Sequence, residues 1–535
     1  MSEHSRLTQM LLTGAINRRN FIRGMSALGV TSAMATTMAT SLIGSSALAA
    51  MPKKGGHMRM AMGHGGTPDV LDPALILNGA LTAMHFAITN MLTEINPDGT
   101  LRAKLAEEWS ASADASTWTF KLRKDVTFHN GKDLTADDVI ASINHHRGED
   151  SKSGAKTLVN PITDIKADGK HTVVFSLEAG DADFPFKMGE FNFPIYQAND
   201  DGSLDWQSGI GCGAYVLKEF EPGVRAAFER NPNFYMLDER GNFDSCELLT
   251  IVDTTTRQNA LLSGDVDAID RVDPKTANLL AKRSGIVVEE EPSKLHYTFE
   301  ALTNMAPFND VNVRLAVKYA LNREAMLDTM LQGHGIVGND NPISPAYTFY
   351  DPDLEQRTYD PDKAKFHLKK AGLSSLEVGL SAADAAFSGA VDAAVLYKES
   401  ARPAGINIDV VRESKDGYWS NVWQHKPWCA SYWFGTPMPD GIFTIGYAGG
   451  AGWNATFWDN TRFNDLLLMA RGELNNSRRA EMYAEMQRIV RDDAGTIVPM
   501  FANDIFATSD KIGHGKLANN NEVDGRMFFE RWWFK

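Results

Sequence analysis

Two hydrophobic periods alternate along this chain, and that alternation limits the possible folds more than any other feature. Residues 57–62, 118–123 and 171–177 place apolar side chains at about every second position, as half-buried strands do. Residues 313–330, 361–370 and 477–492 repeat their apolar positions at helical spacing. Thr135 is placed to cap a helix whose first turn holds Asp137 and Asp138. Pro361 stands in the first turn of its helix and Gly372 ends it. A further helix over 257–262 stops at Gly264, and 266–269 returns to a strand. Helix and strand patterns alternating over the whole length argue α/β construction. No repeat of solenoid length is present.

The first 49 residues read differently. Asn17-Arg18-Arg19-Asn20-Phe21-Ile22-Arg23 sets paired arginines ahead of an apolar, small-residue run that ends in Ala47-Leu48-Ala49. A basic segment, an apolar segment and an A-x-A exit form an export signal, here of the twin-arginine kind. Residues 1–49 are therefore expected to be removed, with cleavage after Ala49. The mature protein is then expected to fold in the cytoplasm, cross by the twin-arginine translocase and work in the periplasm. No lipoprotein cysteine follows the signal.

About 485 residues remain, too many for one core, so two or more domains are expected. The chain carries −15, and its first 49 residues hold four arginines against one glutamate, which leaves the mature part near −18. Nucleic acid and anionic lipid need clustered Lys and Arg, so neither is an expected partner. Three cysteines, Cys212, Cys246 and Cys429, lack zinc-type spacing. Cys212 and Cys246 are near enough in sequence to bridge, and three small buried hydrophobes is the competing reading.

Catalytic patterns are missing: there is no G-x-S-x-G, H-E-x-x-H, phosphate loop or C-x-x-C. Gly449-Gly450-Ala451-Gly452 lacks the lysine of a phosphate loop and reads as a turn. Met58, Met60 and Met62 with His57 and His64 could hold a soft metal, but methionines lining one face of a first strand explain the pattern better. Phe128-His129-Asn130-Gly131 reads as a turn, with His129 packed in it instead of acting as a base. No cofactor and no enzymatic activity are expected. The aromatic run Trp428-Cys429-Ala430-Ser431-Tyr432-Trp433-Phe434 leads into a Pro/Gly loop, with Trp453, Asn454 and Trp458 downstream. Trp433 and Trp453 are expected in a ligand cleft, where aromatics supply contact area and attract cations. Trp428, Tyr432 and Phe434 are expected in a core.

A series of short segments in order resembles the large periplasmic solute-binding proteins of ABC importers that serve peptides, nickel complexes and opines. They include Leu71-Asp72-Pro73, Asn96-Pro97-Asp98-Gly99 and Leu105-Ala106-Glu107-Glu108-Trp109. The most specific block runs from Trp118-Thr119-Phe120-Lys121-Leu122-Arg123 through Phe128-His129-Asn130-Gly131 to Asp137-Asp138-Val139. Gly211-Cys212-Gly213-Ala214-Tyr215, Asn231-Pro232-Asn233-Phe234-Tyr235, Pro307-Phe308-Asn309-Asp310 and Tyr359-Asp360-Pro361 continue it.

The resemblance implies two lobes on mixed sheets, joined by hinge strands, with an extra subdomain in the first lobe. It divides the chain into a first lobe at 50–298, a second at 299–499 and a return to the first at 500–535. The resemblance also implies that ligand sits between the lobes, bordered by Asn78 and Gly79 in the loop after Leu71-Asp72-Pro73. Tyr297 and Glu300 lie where the chain leaves the first lobe. Dipeptide-binding members hold the peptide ammonium with an aspartate at the position that Met438 takes here. Asp440 or Glu300 would have to substitute, or the ligand has no free ammonium there. Arg314 is expected to anchor its helix, and residues 527–534 to pack on the first lobe. The resemblance implies a monomeric receptor for a peptide or opine-like solute, delivering it to an inner-membrane ABC permease. A metal or haem carrier, or a hydrolase on the same scaffold, is the alternative.

Overall fold

The computed structural model describes residues 52–535 apart from 77 and 415–417. The export signal and the cleavage point after Ala49 lie outside the described residues. The alternating segments form strands at His57–Met62, Thr117–Leu122 and Thr172–Leu177. Met58, Met60 and Met62 are fully buried on one face of the first of these, packed with Leu81, Phe228 and Trp532. Burying each is worth ~1.5–3 kcal/mol, which accounts for the alternation. Among the described residues no group of three or more His, Cys, Asp or Glu side chains gathers as a metal site would require.

Helix boundaries follow their caps. Asp360 accepts from Lys363 N to open Pro361–Lys370, and Asp253 accepts from Thr256 N to open Thr254–Ser263. Gly264 closes the latter at φ +80. Thr135 and Asp138 form a reciprocal capping box on Ala136–Asn144. The helix expected over 313–330 is two, Val311–Tyr319 and Arg323–Leu331. The break follows from Asn322, whose side chain accepts from Ala325 N and starts a second helix inside an unbroken apolar pattern. The strand expected over 266–269 shortens to Ala268–Ile269.

Two of the four sheets and a separate second-lobe core make up the frame. A four-stranded antiparallel sheet with Ala136–Asn144 on it encloses Phe120, Phe175 and Phe184 and forms the first-lobe subdomain. An eleven-stranded sheet runs through both lobes, and Ile286–Ala301 and Thr496–Ser509 lie antiparallel at its centre. On the first-lobe side, Thr496–Ser509 pairs with Ala268–Ile269, which is followed by His57–Met62 and Ser245–Thr250 in parallel. On the second-lobe side, Ile286–Ala301 pairs with Trp428–Trp433, with Leu376–Ala382 and Ile406–Arg412 beyond it. Helices Thr461–Gly472 and Asn476–Asp493 carry a separate second-lobe core around Phe443, Trp458 and Tyr483.

Cys212, Cys246 and Cys429 are free and buried. Cys212 belongs to the subdomain core and Cys246 to the first-lobe core, so the bridge considered between them does not form. The glycines beside Cys212 serve close approach. A Cβ on Gly211 would lie 1.9 Å from Ile88 O, and one on Gly213 would lie 2.5 Å from Ala87 O. His129 ties the same turn, with Nε2 3.2 Å from Gly213 O. Residues 527–534 pack on the first lobe through Phe528, Phe529 and Trp532.

Candidate functional site

The pairing registers aim both lobes' strand ends at one place. Ala268–Ile269 runs antiparallel to Thr496–Ser509 and opposes Thr508 and then Ala507, so it heads toward residue 502. His57–Met62 and Ser245–Thr250 run with it. Trp428–Trp433 runs from Ala301 to His296 against its partner, so its carboxyl end also heads toward that stretch. Leu376–Ala382 and Ile406–Arg412 are parallel to it. The carboxyl ends of the parallel strands in each lobe therefore face each other across Pro292–His296, where the register shifts. Open α/β sheets place ligands outside such ends.

Lys294 occupies that irregular stretch. Its Nζ donates to Thr436 O at 3.1 Å and Pro437 O at 2.9 Å, and stands 4.4 Å from the centre of the Tyr347 ring. Burial lowers its ammonium to about 8, against the pull of the Glu190 carboxyl, and burial pushes Glu190 itself up to about 8. The first-lobe subdomain meets the second lobe close by. Asp183 Oδ2 is 2.7 Å from Arg479 Nη2, both side chains almost wholly buried. Ala182 N donates to Arg471 O at 2.8 Å.

The residues expected at the site divide into two groups. Tyr297 directly follows the facing stretch and stacks on Phe387 with centroids 4.3 Å apart. Met438 holds the cap position of Pro439–Gly446 and is buried. A methionine has no oxygen to offer there, and Thr436 Oγ1 accepts from Ile442 N instead. Asn78 and Gly79 are not in a loop. Asn78 caps Gly79–Ile88 by accepting from Leu81 N, and its Nδ2 donates to Asp69 Oδ1 at 2.8 Å. Trp453 is 63% exposed.

The other four are engaged within the protein. Trp433, expected in the cleft, is buried against Gly446, and its Nε1 donates to Glu300 Oε1 at 3.2 Å. Glu300 is fully buried, also accepts from Thr496 Oγ1, and has its carboxyl raised by burial. Asp440 is buried beside Arg471 Nε at 3.1 Å. Asn454 Nδ2 donates to Ala448 O at 3.1 Å and Trp458 O at 2.6 Å, which fixes its own loop. Glu300 and Asp440 are thus both engaged within the protein. Arg314 anchors its helix, donating to Phe308 O at 2.8 Å and to Asp493 Oδ1 at 2.9 Å.

Register explains why Trp433 and its neighbours change places. Trp433 opposes His296 and Tyr432 opposes Tyr297, so 429, 431 and 433 share one face and 430, 432 and 434 the other. Phe434, expected in a core, is 64% exposed. It meets Tyr432 at 5.0 Å, and Tyr432 meets the half-exposed Trp419 at 5.7 Å, giving an aromatic shelf at the strand ends of the second lobe. Strict alternation along 428–434 carried the signal for this split, and only the pairing partner decides which face is open.

Two lobes whose strand ends converge across a pair of shared central strands define a cleft-binding protein. Residues 100–455 match the family described as bacterial extracellular solute-binding proteins, family 5. The chain belongs to that family. It is 24% identical over 476 residues to the dipeptide-binding protein of Escherichia coli K12, covering 81% of this chain and 87% of that protein. It is 27% identical over 460 residues to heme-binding protein A of Haemophilus influenzae, covering 79% and 83%. The structure of the periplasmic binding protein DppA from Helicobacter pylori in complex with peptide STSA superposes with a TM-score of 0.70 at 21% identity, over 90% of this chain and 99% of that one.

Proposed function

We propose that the protein is a periplasmic receptor of an ABC importer that closes on a peptide, or a peptide-like or opine-like solute, and presents it to an inner-membrane permease without altering it. The convergence of both sets of strand ends on Pro292–His296 carries this reading. Relatives named for dipeptide and heme binding share the family. Residues 1–49 serve as a twin-arginine signal. The lobes divide at 50–298, 299–499 and 500–535, with the hinge where Ile286–Ala301 and Thr496–Ser509 cross. The receptor works as a monomer.

In this reading Tyr297, Met438 and Trp453 contact solute directly, and Asn78 and Gly79 border it on the first lobe. Trp433, Glu300, Asp440 and Asn454 shape the second-lobe wall. Met438 removes the carboxylate that pairs with a peptide ammonium, so N-blocked peptides and opines fit better than free dipeptides. Solute that binds both lobes favours the closed form by its differential contacts. Thermal-shift screening of residues 50–535 against free and N-acylated peptides, opines, oligosaccharides, nickel and haem tests the proposal, since ligand raises the melting temperature by mass action. A shift with a peptide or opine class is expected. A shift with haem or nickel alone replaces the reading with a carrier.

A further inference from the structure

We infer that His64, Arg271 and Arg526 form an anchor on the first lobe for a carboxylate of the solute, an inference that rests on the cleft being a solute site. His64 lies two residues beyond His57–Met62, and Arg271 two residues beyond Ala268–Ile269, at the converging strand ends. Arg526 comes from the carboxy-terminal segment. Glu522 ties the two arginines, with Arg271 Nη2 2.6 Å from Oε1 and Arg526 Nη2 2.8 Å from Oε2. Arg271 Nη1 also meets His64 Nε2. An arginine can only donate, so Nε2 accepts and the imidazole proton sits on Nδ1.

Three N–H groups of this cluster are shielded from solvent and have no acceptor in the protein: His64 Nδ1, Arg271 Nε and Arg526 Nε. Buried donors are ordinarily paired, so three in one cluster call for an acceptor from outside the chain. The charges agree. Two guanidiniums share the Glu522 carboxylate and hold it down at about 2. Asp270 is already engaged by Arg257 Nε at 3.1 Å and Gly63 N at 2.8 Å. Asp504 is pushed up to about 7 by burial and by Glu522, and its Oδ2 accepts from Val523 N.

Arg526 also lies against the start of helix Gly79–Ile88, where a Cβ on Gly79 would come within 3.3 Å of its Cζ. The cluster is open to a ligand, since the Arg271 side chain is 37% exposed. With Met438 and the aromatic shelf opposite, the solute this cleft selects has a carboxylate at one end and an aromatic or apolar body, and needs no free ammonium.

Titration calorimetry on residues 50–535 tests this with matched probes: di- and tripeptides ending in Phe or Leu, free or N-acetylated, each as carboxy-terminal acid and amide. The acid is expected to bind about ten- to a hundredfold tighter than its amide, as a charge-assisted contact requires. Arg271→Gln should remove that preference and leave the amide Kd within about twofold, and Arg271→Lys should fall between, keeping charge without the forked donors. Arg271 is part-exposed, and an unchanged thermal melt of each variant confirms its fold. Equal binding of acid and amide, or a preference that survives Arg271→Gln, overturns the anchor and leaves the receptor standing. Binding of neither form at any length overturns the peptide-like reading and the anchor with it.

Discussion

Replacing Arg479 by methionine should destabilise the protein by far more than the loss of a surface ion pair. Asp183 Oδ2 and Arg479 Nη2 are 2.7 Å apart, with side chains 3% and 2% exposed. Asp183 lies in the first-lobe subdomain and Arg479 on helix Asn476–Asp493 of the second lobe, so their contact joins the two. Arg479 also donates through Nε to Ala470 O at 3.2 Å and stands 4.9 Å from the Phe349 ring centre. Removing one partner of a buried pair leaves the other charge desolvated, which costs ~3–5 kcal/mol, whereas removing both is often close to neutral. Arg479→Met should therefore cost ~3–5 kcal/mol, and Asp183→Asn with Arg479→Met should recover most of it. Urea unfolding followed by tryptophan fluorescence at pH 7 measures both. A single-variant cost below ~1 kcal/mol, the range of solvated pairs, would show that water reaches Asp183 and would refute the argument.

The same carboxyl gives a pH signature. Burial pushes Asp183 from its ordinary 3.8 up to about 6, so the folded state holds a proton that the unfolded state releases between those values. Stability at this site should then fall by ~3 kcal/mol as pH rises from about 3 to 7, and Asp183→Asn should remove that slope, read from unfolding midpoints across the range. Trp433→Phe keeps the packing but deprives Glu300 of a donor, and a loss of ~1–3 kcal/mol in urea unfolding is expected. Phe434→Ser changes an exposed ring and should alter stability by less than ~0.5 kcal/mol, while calorimetry shows weaker binding of whichever solute the screen identifies.

Much of the frame was legible in the sequence because it depends on local signals. The first strand, the helix Pro361–Lys370 and the stop at Gly264 each follow from caps, breakers or alternation within a few residues. The break at Asn322 was also local, but a continuous apolar stripe masked it. The cleft was less legible, because its side chains are chosen by distant partners. Which of Tyr432 and Trp433 faces outward depends on pairing with residues 296 and 297. Lys294 reaches the carbonyls of Thr436 and Pro437 only through the irregular stretch between Pro292 and His296. Arg271 and Arg526 are about 250 positions apart, and nothing near either one in sequence announces Glu522 as their common partner.

Thr496–Ser509 stands at the middle of the large sheet, and Phe528, Phe529 and Trp532 fill the first-lobe core beneath His57–Met62. The ribosome makes that strand and those rings last. A nascent chain lacking its final forty residues has neither the central strand nor the side chains that seal Met58, Met60 and Met62 from water. The first half of the protein must therefore wait, unsealed, for its own carboxy terminus. Premature termination anywhere in that stretch should yield a chain that chaperones hold and proteases clear, not a smaller receptor.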